Sequence, residues 1–367
     1  KMYLNKTDIQ KLLDKKDLTQ EKEHCISLIV DKIKTTLEEK YKIEAEIEKG
    51  NPIVSIEDNY YSLGYDSNEI TLSERYTKYI NQNTILRTQM TSVIPSLLKN
   101  YKKDKNKLWL CSGLVYRRDV RDKTHVGEPH QMDIWHLTKE KKTRKDLLSL
   151  VELLISIIEK IKNKKIKWRY TETNHHYTDN GIEVEIYHDN KWLELLECGI
   201  ISQELLNKNN LSEYSGLALG LGLERLVMII KEIEDIRILY SEKEQIKEQL
   251  KDLSKYKQIS NQPAISRDMS IAINKEVNEE ELTEIILNNV NKETEKIIES
   301  IKVINETKYE KLPNVAIERL GMNNSQKNVL LKITIRDLNK TLLSKEANEI
   351  YSEIYQIIHQ GNNGYLI

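Results

Sequence analysis

The chain has 367 residues, 57 basic against 58 acidic, which is long enough for two domains and too balanced for a polybasic mode of nucleic-acid binding. Three widely spaced cysteines, Cys25, Cys111 and Cys198, exclude a disulfide framework and a four-cysteine metal site. No run of 18 apolar residues supports a membrane span. The composition holds one anomaly: 19 Tyr and 4 Trp but no Phe, where ordinary usage would give about 15.

Apolar residues at three- and four-residue spacing predict a helix over Thr19–Glu39, with Ile26, Ile29, Ile33 and Leu37 on one face. A second helix is expected over Ile85–Leu98. Leu108–Arg118 and His130–Leu137 read as strands around the polar loop Asp119–Pro129. Lys145–Ile161 is strongly amphipathic. Short strands follow at Ile166–Tyr170, Ile182–His188, Lys191–Cys198 and Ser215–Leu221, the last running into a helix from Gly222 to Lys231. Residues 241–256 are highly charged and read as a solvated helical linker. Beyond Lys257 come a strand at Ile265–Asn274 and a helix at Glu279–Asn289. Strands at Ile298–Asn305 and Val329–Arg336 and a helix at Lys345–Gln360 complete the pattern of a split βαβ sandwich.

Three stretches carry chemistry. In the first, Arg117-Arg118-Asp119 closes a strand, and Gln131 and Asp133 lie two apart on the returning strand, so both face one side of the sheet. An amide and a carboxylate side by side suit an ammonium group, and an arginine suits a phosphate. In the second, Trp192, Glu194 and Leu196 alternate with Leu193 and Leu195, which puts an acid in an apolar strand that needs a cation. In the third, Gly216, Gly220 and Gly222 strip one strand face of side chains, so a ligand can approach the backbone. Arg225 follows in the first helical turn, where the helix dipole disfavours a cation unless it meets an anion. His175-His176 is not expected to bind a metal, because neighbours on a strand point apart.

The order of Val115-Tyr116-Arg117-Arg118-Asp119, Thr124-His125, His130-Gln131, Trp192-Leu193-Glu194, Cys198-Gly199 and Gly216 through Arg225 resembles motifs 2 and 3 of class II aminoacyl-tRNA synthetases, and within them the phenylalanyl-tRNA synthetases. Gln262 through Asp268 and Arg336 through Leu342 resemble that family's anticodon-binding module. The resemblance implies an α+β protein: an antiparallel-sheet class II catalytic core followed by a ferredoxin-like α/β sandwich, as in the single-chain mitochondrial-type enzymes. The expected division is a helical N-terminal extension at 1–50, a catalytic domain at 51–240, the linker at 241–256 and the anticodon-binding domain at 257–367.

By the same resemblance the chain adenylates an amino acid with ATP and Mg²⁺ and charges a tRNA, tRNA(Phe) with phenylalanine before another amino acid. A non-charging tRNA-binding paralogue is the alternative. Arg117 would hold the α-phosphate, Asp119 the adenine and Arg225 the γ-phosphate, with His125 and Gly222 beside the nucleotide. Glu194, then Glu185, would contact Mg²⁺. Thr91, Gln131, Asp133, Leu217, Leu219 and Gly220 would form the amino-acid site, and Arg267, Arg336 and Lys340 would touch tRNA. No separate β subunit is required, and a monomer or homodimer is expected. Met2 near the start without a transit peptide points to a bacterial cytoplasm before a trimmed organellar enzyme, which would look the same.

The chain departs from the family pattern at the amino-acid site. Leu217-Ala218-Leu219 replaces Phe-Ala-Phe, Pro129 replaces the Phe before His-Gln, Asp133 replaces a Glu, and Glu197 replaces the Gly before Cys-Gly. The Phe-Pro-Phe-Thr segment survives at most as Tyr177-Thr178. Either the substrate differs, or Phe is excluded everywhere and Leu refills the pocket. The absence of Phe across the whole chain favours the second.

Overall fold

The computed structural model describes residues 3–102, 105–259 and 262–363. The chain divides into two compact units. The first comprises Lys1–Arg117, Glu128–Glu234 and Lys247–Lys257, and the second Arg118–Gly127, Asp235–Ile246 and Gln258–Ile367.

The first unit is built on a seven-stranded sheet. Its strands are β1 (Glu46–Glu48), β4 (Lys107–Leu114), β5 (His130–Thr138), β6 (Trp168–Glu172), β7 (Thr178–His188), β8 (Lys191–Ile201) and β9 (Ser215–Gly222), in the order β1-β4-β5-β9-β8-β7-β6. A separate two-stranded ladder pairs β2 (Ile53–Ser55) with β3 (Thr84–Leu86). Only β1 runs parallel to its neighbour in the large sheet. One sheet face is covered by helices: Ile29 and Ile33 of the Cys25–Tyr41 helix and Leu154 and Ile158 of the Arg144–Lys162 helix pack with Leu196, Leu221 and Leu226. The Arg144–Lys162 helix begins at a capping box, Thr143 with Asp146, and ends at Asn163 in the left-handed region.

Two expectations are corrected here. Residues 1–50 are not an appended extension: the Cys25–Tyr41 helix buries Ile26, Ile29, Ile33 and Leu37, and β1 joins the sheet. The charged stretch 241–256 is not a solvated linker either. Ile246 and Leu250 are buried, and Leu250 C=O accepts from the Cys25 N–H at 2.7 Å. Lys231, fully buried, donates to Asp252 O at 2.9 Å and Ser254 O at 2.8 Å. The charges mask a few apolar anchors that a composition argument averages away. The helix expected over Ile85–Leu98 starts only at Ile94, with Pro95 in its first turn, because Ile85 and Leu86 are drawn into the ladder with β2.

The second unit holds β10 (Ile265–Asn274), β11 (Ile298–Lys308) and β12 (Gln326–Ile335) in the order β10-β12-β11, all antiparallel. The Glu279–Asn289 and Ser344–Ile358 helices pack Leu282, Ile286, Tyr351 and Ile354 with Ile271, Leu331 and Ile333. First strand beside third, third beside second, with a helix after the first and third, is the split βαβ order. The closing strand of a ferredoxin-like sandwich is not among the described residues. Among them, no helix is long and apolar enough to cross a membrane.

Candidate active site

The sheet register decides which side chains share the uncovered face. Gln131, Asp133 and Trp135 on β5 lie opposite Gly222, Gly220 and Ala218 on β9. Glu197 and Gly199 on β8 lie opposite Gly220 and Ala218. The three glycines do what their spacing predicts at Gly220 and Gly222: a Cβ on Gly222 would meet nothing within 4 Å, and one on Gly220 would stand 3.4 Å from Asp133 Oδ1. Gly216 serves packing instead, since a Cβ there would strike His136 O at 2.3 Å.

The same register removes Leu217 and Leu219 from the site. They alternate with Ala218 and pair with His136 and Ile134, so they point to the helix-covered face. Both are almost fully buried there. Ala218 is the residue of this trio on the ligand face, packed with Trp135 and Met90. The Phe-to-Leu replacements are therefore core substitutions and carry no information about the substrate.

Asp133 is the buried acid of the site. Thr91 Oγ1 donates to its Oδ2 at 2.5 Å, and burial pushes its carboxyl up to about 6 despite Thr91 and Arg117 nearby. Gln131 Oε1 accepts from Met90 N–H at 3.3 Å, which fixes its amide beside Asp133. Arg117 is held by a 2.8 Å bond from Nε to Thr88 O, and its guanidinium lies 5.6 Å from the centre of the Tyr76 ring. Arg225, in the first turn after Gly222, donates from Nη1 to Glu194 O at 3.0 Å and lies 3.6 Å from Glu194 Oε2.

The expected alternation of Trp192, Glu194 and Leu196 fails at a β-bulge. Leu196 pairs with Val184 and Glu194 with Glu185, leaving Leu195 as the extra residue. The bulge keeps Glu183, Glu185, Glu194 and Glu197 on the ligand face and sends Leu196 into the core. The Glu183 carboxyl is raised by burial and then by Glu194, Glu197 and Glu185 around it. Among the described residues, no three acids, histidines or cysteines form a ready metal cage. Glu185 is committed to Arg169 at 2.6 Å, while Glu194 is half-exposed beside Arg225.

Asp119 and His125 belong to the loop grouped with the second unit. There Asp119 Oδ1 accepts from Val120 N–H at 2.8 Å, and His125 Nδ1 lies 2.8 Å from Asp122 Oδ2. Even against burial, His125 and the Thr124 N–H hold the Asp122 carboxyl down at about 2. In the second unit Arg267 is exposed on β10, while Lys340 pairs with Glu346. Arg336 pairs with Glu299 at 2.6 Å and is mostly buried, so it acts inside its own unit.

Sequence reasoning missed a lock behind the site. His130 N–H donates to both Glu224 carboxylate oxygens at 2.9 Å, His130 Nδ1 lies 2.5 Å from Glu224 Oε1, and His130 Nε2 accepts from Leu18 N–H at 2.9 Å. It ties the start of β5, and so Gln131, to the helix turn that carries Arg225. The signal was an acid, Glu224, at the start of a helix whose middle, Leu226–Ile230, is wholly apolar.

A pair of arginines, an uncovered glycine face and a buried acid, on or beside a largely antiparallel sheet, define a class II synthetase core. The chain belongs to this family: the group described as tRNA synthetases class II core domain (F) matches residues 8–250. The chain is 26% identical over 359 residues to a Drosophila melanogaster protein named a probable mitochondrial phenylalanine–tRNA ligase, covering 83% of this chain and 75% of that one. It is also 26% identical to the Saccharomyces cerevisiae mitochondrial phenylalanine–tRNA ligase, over 94% of this chain and 88% of the relative. A phenylalanine–tRNA ligase alpha subunit of Wigglesworthia glossinidia brevipalpis is 32% identical over 65% of this chain and 69% of its own. The mitochondrial names of these relatives overturn the expectation of a bacterial cytoplasmic enzyme. The match from residue 8 agrees with the integral place of the N-terminal helices.

Proposed function

We propose that the protein activates phenylalanine with ATP and transfers it to tRNA(Phe) as a single chain. Names of the relatives support the amino acid and the tRNA. The observation that carries the chemistry is the glycine face between Asp133 and Arg225: a strip of bare backbone with a carboxylate at one end and a guanidinium at the other.

Asp133 and Gln131 receive the α-ammonium group. Arg117 neutralises charge as the substrate carboxylate attacks the α-phosphorus and pyrophosphate leaves. Arg225 holds the departing phosphates, and Glu194 would hold Mg²⁺ near them. The Mg²⁺, when bound, spreads the phosphate charge. A ribose hydroxyl of the tRNA then attacks the acyl carbon and AMP departs. The protein positions and stabilises charge without forming a covalent bond to substrate.

ATP–pyrophosphate exchange tests this reading. Exchange should require an aromatic amino acid, and Arg117→Ala or Arg225→Ala should lower kcat/KM by about 100-fold or more, the scale of losing one charge-stabilising donor. Exchange that no amino acid supports, or that survives both changes, rejects it.

A further inference from the structure

Arg117 is held from behind at two points. Its Nε donates to Thr88 O at 2.8 Å, and its backbone pairs with Thr77 in an isolated antiparallel bridge. The first bond occupies Nε and leaves the two terminal nitrogens of the guanidinium for a phosphate. Thr88 lies just past the end of β3, and Thr77 in the loop that precedes that strand, so neither owes its place to the β2–β3 ladder.

What fixes both partners is a pair of consecutive residues, Asn59 and Tyr60. Asn59 ends the short helix Ile56–Asn59, which is capped by Ser55: its Oγ accepts from the Asp58 N–H at 3.0 Å. The Asn59 amide closes a ring of two hydrogen bonds on a single residue. Thr88 N–H donates to Asn59 Oδ1 at 3.1 Å, and Asn59 Nδ2 donates to Thr88 Oγ1 at 2.8 Å. The Asn59 carbonyl oxygen accepts from Gln89 Nε2 at 2.7 Å. Tyr60 then joins the two partners of Arg117, its hydroxyl lying 3.0 Å from Thr88 Oγ1 and 2.7 Å from Thr77 Oγ1. Asn59, Tyr60, Thr77 and Thr88 are each at most 2% exposed. Such a buried network is rigid when its members are paired.

We propose that Asn59 is a positioning residue for amino-acid activation: its amide fixes the Thr88 peptide, and the oxygen of that peptide fixes the Arg117 guanidinium. The inference rests on the reading of Arg117 as the group that neutralises charge at the α-phosphorus. A guanidinium already in place needs no reorganisation when that charge develops. The residue type fits the task, because the ring on Thr88 needs one donor and one acceptor on one planar group. An ionised aspartate offers acceptors alone, and leucine offers neither.

ATP–pyrophosphate exchange by the full chain, with kcat and KM separated, tests the proposal. Asn59→Leu should lower kcat by about 10- to 100-fold, the scale of misplacing a catalytic group by about 1 Å. The KM for ATP and for phenylalanine should stay within about threefold, since the interaction lost is one made in the transition state. Thr88→Val, which removes only the hydroxyl, should lower kcat by a smaller factor of at least about threefold. In an Arg117→Lys background either change should cost less than about twofold more, because the group being positioned is gone. Circular dichroism checks that each variant is folded, and if Asn59→Leu is not, Thr88→Val in the two backgrounds decides alone. A folded variant with wild-type kcat overturns the proposal. So does a loss of the same size in both backgrounds, or one carried by KM, since a merely structural role would produce either. Absence of exchange by the wild type with every amino acid overturns the activation reading itself, whereas wild-type exchange that these changes leave untouched overturns this inference alone.

Discussion

Thr91 Oγ1 donates a 2.5 Å hydrogen bond to Asp133 Oδ2 in a site where the carboxyl is almost wholly removed from water. One hydroxyl does not offset that burial, so the acid resists ionisation until about pH 6. A carboxyl raised in the folded state favours folding at low pH, and that favour is lost as pH rises through its folded value. Asp133→Asn should therefore raise stability at pH 8 by up to about 3 kcal/mol, with the gain vanishing near pH 3. Urea unfolding at the two pH values measures it. Exchange activity of the same variant should fall at least 100-fold, the scale of losing a charge-assisted contact in a dry site.

Alternation along β9 separates packing from recognition. Leu219→Ala should cost about 2–5 kcal/mol of stability and leave the KM for the amino acid within twofold of wild type. Ala218→Val adds bulk on the other face and should raise that KM at least tenfold, on the order of the 1–3 kcal/mol cost of overpacking. Thermal unfolding and exchange kinetics on both variants decide. A selectivity change in the Leu219 variant alone would show that the register has been misassigned.

His136 is buried opposite Leu217, with the Tyr41 ring 4.0 Å away and no hydrogen-bond partner for either ring nitrogen among the described residues. Burial, then Lys142, pushes it down to about 4. A depressed base gives stability that is present above its unfolded value and lost as pH falls through its folded one. The wild type should lose about 3 kcal/mol between pH 6.5 and 4 that His136→Leu does not lose. Acid titration followed by circular dichroism tests the difference.

Lys231 gathers Asp252 and Ser254 onto the end of the Leu223–Lys231 helix. Lys231→Met should free that segment. Its expected signature is faster proteolysis within 247–257 and a stability loss of about 3 kcal/mol, the scale for breaking a buried charged contact. Cleavage at the wild-type rate would show that Leu250 alone secures the segment.

Strand positions and the glycine face were legible because a two-residue period holds along an unbulged strand such as β5 or β9. Gln131 and Asp133 share a face as their spacing requires. The failures have local causes. Leu217 and Leu219 were assigned to the pocket through a motif read as a block, whereas the pleat admits only Ala218. Leu196 was misplaced by a bulge that no periodicity records. The 3.4 Å contact of Glu197 with His175 joins β8 to the segment between β6 and β7, so it emerges only once that segment folds onto the sheet.

The bond from Cys25 N–H to Leu250 C=O spans 225 positions of the chain, the difference of the two residue numbers. At about 5–20 residues per second, a ribosome needs roughly 10–45 s to travel that distance. The helix that begins at Cys25 must therefore wait, already synthesised, for the segment that closes over it. The catalytic unit draws on three separate pieces of the chain, so no single cut releases it intact. A growing chain of this protein should depend on chaperone shelter until residue 257 has emerged, and a halved gene should yield two insoluble fragments.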